Sequence, residues 1–145
     1  MTYTVKKVEI WGGEIEDHVG GLNTSLEPLG DAGVDLEVVI ARRRPDVPGK
    51  GVVFVGPVSG TKARQAAEAA GLHKAGDVIA LHVEGPNRPG ECRRLTGILA
   101  EAGINLRGLS ALAKGARFVA ALAFNNAAEA AEAARLLRAA GAKRK

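Results

Sequence analysis

Aromatic side chains are scarce in this chain of 145 residues, which has three Phe, one Tyr and one Trp. Its apolar content of 46% leans instead on 26 Ala. A core of such small side chains has to be thin-layered, with closely spaced helices, and broad aromatic stacking surfaces are excluded. Cysteine is represented by Cys92 alone, so no internal disulfide forms and a reducing compartment, the cytoplasm, is expected. Long apolar runs are missing as well. The longest, Phe118 to Phe124, is too short to cross a bilayer, and the start from Met1 to Val8 carries no apolar signal segment. Neither membrane insertion nor export is expected.

What is present describes a chain that folds. Charged residues make up 25%, near the globular average, and the length suits one domain or two very small ones while excluding a large multidomain enzyme. Twenty Lys and Arg against 16 Asp and Glu leave +4. Much of that surplus is local, in Arg42-Arg43-Arg44 and in the tail Lys143-Arg144-Lys145.

The chain repeats itself. A shift of 70 superposes Val8 on Val78, Glu14 on Glu84, Gly20 on Gly90, Gly33 on Gly103, Val34 on Ile104 and Leu36 on Leu106. Beyond the longer first-copy loop from Arg42 to Lys50, a shift of 64 places Phe54 on Phe118 and the run Ala63, Ala66, Ala67, Ala70, Leu72 on Ala127, Ala130, Ala131, Ala134, Leu136. Two copies of one unit, 1–72 and 73–145, are the economical reading.

Periodicity orders the elements within each unit. Short β-branched runs at Val5–Trp11 and Val78–Val83, ended by Gly and Pro, read as strands. A helix follows: Leu95, Ile98, Leu99 and Ala102 mark one face and Gly103 stands at its C-terminal cap. Second strands are expected at Val34–Ala41 and Ile104–Leu112, and third strands at Val52–Val55 and Arg117–Phe124. Thr61–Ala70 and Asn126–Ala140 read as helices on propensity. The order β-α-β-β-α makes an α+β protein of two ferredoxin-like units, with antiparallel sheets and helices on one face. A fourth strand is missing. Five residues separate Leu72 from Val78, and the last helix is followed only by Gly141 to Lys145. Either Leu72–Val83 is one strand serving both units or a second chain completes the sheet, since open edges tend to be paired.

Chemistry concentrates where the first strand of each unit hands over to its helix. Copy one reads Asp17-His18-Val19-Gly20-Gly21-Leu22 and copy two reads Asn87-Arg88-Pro89-Gly90-Glu91-Cys92. Unpaired helix N–H groups and glycines suit a small carboxylate; equally, Asp17 and Asn87 suit plain helix caps. Asn87 to Leu95 followed by Leu99-Ala100-Glu101-Ala102-Gly103-Ile104-Asn105-Leu106 resembles an ACT domain, and Asp17 to Leu22 with Leu29-Gly30-Asp31-Ala32-Gly33-Val34-Asp35-Leu36 is a looser version. Over residues 5 to 140 the chain is similar to small stand-alone proteins of two tandem ACT domains. The resemblance implies a non-catalytic regulatory or sensing module that binds a free amino acid at Asp17, Gly20, Gly21, Asn87, Pro89 and Gly90. It also implies association as a homodimer and with a regulated metabolic enzyme. The alternative is a structural or protein-interaction module with no ligand. In copy one Val19 replaces Pro89, and Pro28 is expected to kink the helix.

Other features read plainly. His18, His73 and His82 have no metal-ligand spacing, and no cofactor is expected. Cys92 aligns with Leu22 and reads as a small core residue. Gly56 to Lys62 lacks the second glycine of a phosphate loop, with Thr61 in its place. The arginine triplet reads as a solvated hairpin, and the strands lack the aromatic platform of RNA-recognition modules, so no nucleic-acid partner is expected.

Overall fold

A computed structural model of the protein describes residues 3–76 and 78–142. The chain opens with β1 (Thr4–Val8), a strand that does not belong to the unit following it. The first unit, Glu9–Gly76, comprises β2 (Trp11–Glu16), α1 (Gly21–Asp31), β3 (Val38–Arg43), β4 (Lys50–Gly56), α2 (Thr61–Ala69) and β5 (His73–Lys74). Its antiparallel sheet has the order β3-β4-β2-β5. The second unit comprises β6 (Ile79–Pro86), α3 (Glu91–Glu101), β7 (Gly108–Lys114), β8 (Arg117–Phe124) and α4 (Ala127–Ala142). It is completed by β1, in the antiparallel order β1-β6-β8-β7.

The run expected as one strand, Val5–Trp11, is therefore two strands in two different sheets, and the division lies after Val8 and Gly76 rather than at 72/73. Val5 joins Val83 and Leu95 in the second unit's core, whereas Trp11 joins Val53, Val55 and Leu29 in the first.

Both answers offered for the missing fourth strand are overturned. The first unit makes its own from His73 and Lys74, which pair with Gly12 and Trp11. The second takes β1 from the front of the chain, with Val5 opposite Val83 and Val8 opposite Ala80. The basic tail Lys143-Arg144-Lys145 lies outside the described residues.

Register corrects the repeat. Trp11 faces Val55 and its equivalent Leu81 faces Leu122, so beyond the hairpin the copies are related by a shift of 67, not 64. Phe118, opposite Gly85, thus matches Gly51, opposite Ile15, and Phe54 matches Ala121. The same shift takes the buried Ala63, Ala66 and Ala67 to the buried Ala130, Ala133 and Ala134. The expected alignment had slipped by about one helical turn, which costs little in similarity where most residues are Ala.

The helices following the first strands end alike. Gly33 and Gly103 take φ of 71° and 75°; the next residues, Val34 and Ile104, donate back to Leu29 and Leu99 carbonyls at 3.0 Å. This is the Schellman closure. It commits Val34 and Ile104 to packing beneath the helix, so β3 and β7 start four residues later than expected. Ala102, expected on the apolar face, is the exposed C-cap. Pro28 does not break α1, which runs through it as an eleven-residue helix, Ala32 N–H donating to the Pro28 carbonyl at 3.1 Å.

Candidate functional site

Each strand-to-helix loop turns on a left-handed glycine, Gly20 at φ 87° before α1 and Gly90 at φ 82° before α3. These glycines are themselves the N-caps, and no side chain caps either helix. The capping reading of Asp17 and Asn87 is thereby overturned. Instead, both residues tie their loops to a neighbouring hairpin. Asp17 N–H donates to the Gly49 carbonyl at 3.0 Å, and its Oδ2 accepts from Arg43 Nε at 2.5 Å. Asn87 N–H donates to Ala116 at 2.9 Å, and its Nδ2 donates to Gly115 at 3.1 Å. Gly21 is required for another reason: a Cβ there would sit 2.0 Å from the Glu16 carbonyl oxygen, which is backbone and has no room to yield.

A cleft opens beside each loop. In the second unit it measures about 270 Å³ and is walled by Asn87, Gly90, Leu95, Leu109, Leu112 and Phe118, with Arg88, Glu91 and Arg93 along the helix side. In the first unit it measures about 240 Å³ and is lined by Asp17, His18, Leu22, Ala41, Arg43 and Gly51. The structure thus brings Asn87 and Gly90 together in one cleft and places Asp17 in the other. Gly20, Gly21 and Pro89 line neither.

The clefts differ chemically. The first is lined by charges of both signs, Asp17 paired with Arg43, and Glu16 paired with Lys50 at 2.5 Å. Lys50 beside Glu16 holds that carboxyl below the usual range and is itself raised in return. The second is apolar along the sheet side. Its acid is already engaged, Glu91 Oε1 lying 3.1 Å from Arg88 Nη2 and Oε2 accepting the Tyr3 hydroxyl at 2.6 Å.

Sequence reasoning missed Glu91 and Tyr3. Glu91, not Cys92, turns inward, at 5% exposure, while the Cys92 side of the first turn faces solvent. The signal was present, since Glu91, Leu95 and Leu99 form an i, i+4, i+8 stripe; a carboxylate at its head argued against reading it so. Tyr3 lies 88 positions away along the chain and carried no local signal. Among the described residues, no group of three or more His, Cys, Asp and Glu is placed to hold a metal ion, and no helix is long and apolar enough to cross a membrane.

The two units define a fold class, an α+β protein with two ferredoxin-like units, each with a cleft at its first helix. No protein-family model and no curated protein sequence matches the chain significantly. Solved structures do. The chain is similar to the regulatory subunit of aspartate kinase from Thermus thermophilus, with 15% identity, 97% of each chain covered and a TM-score of 0.68. The corresponding subunit from Thermus flavus gives 18% identity, 97% of each chain and 0.63. Protein BT0572 from Bacteroides thetaiotaomicron gives 15%, 94% of this chain, 90% of its own and 0.73. At these identities the likeness establishes the fold, which is the ACT-type architecture of aspartate kinase regulatory domains.

Proposed function

We propose that this protein is a non-catalytic regulatory module that binds a free amino acid in the cleft of the second unit. The observation that carries the reading is the contrast between the clefts: in the second, Gly90 brings the start of α3 to an apolar-walled recess. The start of a helix offers backbone N–H donors to an α-carboxylate. Glu91 does not oppose that anion, because Arg88 pairs with it. With Nδ2 of Asn87 held by Gly115, its Oδ1 is the acceptor offered to an α-ammonium group. Leu109, Leu112 and Phe118 suit an apolar side chain. In the first unit the carboxylate of Asp17 is already engaged by Arg43.

The test is a thermal-shift screen against the twenty amino acids, since a ligand that binds the native state alone raises the melting temperature. We expect a shift from an apolar amino acid, lost in Asn87→Ala and kept in Asp17→Ala. The reverse pattern moves the site to the first loop, and no shift from any amino acid refutes the reading.

A second reading, an interaction module that recruits a regulated enzyme or a second copy, is favoured by the edge strand β7. Its residues Ala111 to Lys114 are exposed and Leu112 stands 79% accessible, and such an edge invites pairing. Light scattering at twice 15.0 kDa is expected for a homodimer. We place the module in the cytoplasm, where the exposed Cys92 stays reduced.

A further inference from the structure

Tyr3 is the residue just ahead of β1, a strand carried to the second unit from in front of the first. It is only 4% exposed. Its ring packs edge-on to Phe118, with centroids 6.0 Å apart, and fills the space above Gly85, where a Cβ would lie 2.6 Å from Tyr3 Cδ1. Its hydroxyl donates to Glu91 Oε2 at 2.6 Å and accepts from Arg94 Nη1 at 2.7 Å. The Arg94 guanidinium lies 5.2 Å from the ring centroid and also donates to the Ala140 carbonyl at 3.1 Å.

Glu91 passes this anchorage on. Its second oxygen holds Arg88, a residue of the Asn87–Gly90 loop, while Phe118 forms part of the cleft wall. A path made of the buried Tyr3–Glu91 hydrogen bond, the Glu91–Arg88 ion pair and the Tyr3–Phe118 ring contact therefore runs from the N-terminal segment to both sides of the cleft. Hydrogen bonds to charged groups in such surroundings are stronger than neutral ones, and linked bonds reinforce one another. The first unit has no counterpart, since Gly21, Thr24 and His18 stand where the second has Glu91, Arg94 and Arg88.

We propose that Tyr3 is a positioning residue for the second cleft: through Glu91 its hydroxyl fixes the Asn87–Gly90 loop, so that the N-terminal strand sets the geometry in which a ligand is received. Its role in affinity rests on the amino-acid-binding reading above; its role in ordering the loop does not.

The experiment compares the full chain with Tyr3→Phe, which keeps the ring and deletes the hydroxyl, and with Arg88→Ala and the double variant. Backbone amide exchange in ligand-free protein should quicken about tenfold or more at residues 87, 88 and 90–92, and not at 17–22 or in β8. A merely structural role would quicken exchange across the whole second unit. Affinity for the amino acid returned by the screen should fall about tenfold in Tyr3→Phe and in Arg88→Ala, with little further loss in the double variant. Unchanged exchange at 87, 88 and 90–92, uniform quickening, or additive losses of affinity overturn the proposal. A screen that returns no amino acid refutes the binding reading and leaves the exchange comparison to decide on Tyr3.

Discussion

Tyr3 brings three kinds of interaction to one buried point: ring packing, a bond to an acid and a bond from a base. Their balance sets its acidity. Burial, above all, pushes the phenol above its ordinary 10.0, the bond to Glu91 pushes the same way, and Arg94 opposes both. A phenol with a raised folded-state pKa contributes stability that is fully present below the unfolded value and is lost as pH climbs through the folded one. Because this is the chain's single tyrosine, tyrosinate absorbance reports it without interference. The expected result is a midpoint above 10.0 in native protein that returns to about 10 in urea. In Tyr3→Phe the loss of stability above that pH should be shallower. A native midpoint at or below 10 would contradict the buried contact with Glu91. At this scale the sequence was partly legible. Asp17, Asn87, Gly20 and Gly90 were legible as members of the strand-to-helix loops, because charge, amide and glycine at a strand end are local signals. The Tyr3–Glu91 bond spans 88 positions and depends on which sheet claims β1, and no local pattern encodes that.

Among elements, those with sharp periodicity or punctuation were legible: α1 and α3 with their glycine closures, and β8 with its alternating burial. Alanine-rich α2 and α4 were found as helices but matched to one another out of phase, because an Ala stripe looks the same after a shift of one turn. Pro28 misled in the other direction. A missing donor inside a helix is costly, yet Leu29 beside it is 1% exposed in the first unit's core, and tertiary packing holds the helix together there. The phase of α4 makes a sharp contrast testable. Ala134 is 6% exposed and sits in the core with Leu137 and Leu122, whereas Ala131 faces solvent. Ala134→Leu should overpack the core and cost about 1–3 kcal/mol, while Ala131→Leu should stay within about 0.5 kcal/mol of the parent. Urea titration of both variants checks this, and equal effects would argue against the shift of 67.

For the whole molecule, the two units have the same sheet order but not the same chain order. The first runs β-α-β-β-α-β from Glu9 to Gly76. The second has its last strand cut away and placed at the front. Removing residues before Glu9 therefore damages the second unit and not the first that follows it. Without β1, the backbone of β6 becomes an open edge, Val83 and Leu95 lose Val5 from their cluster, Arg138 loses its bond to the Val5 carbonyl at 2.7 Å, and Glu91 loses Tyr3. A bare β6 edge together with a buried acid deprived of its donor is a severe combination in a unit of this size. Residues 9–76 expressed alone should unfold cooperatively in urea. Residues 78–145 expressed alone should lack a cooperative transition. Residues 78–145 with 1–8 appended after Lys145 should regain one, because that permutation restores the order found in the first unit. Circular dichroism during urea titration of the three fragments reads the outcome. If the 78–145 fragment folds unaided, β1 is dispensable for the fold of the second unit.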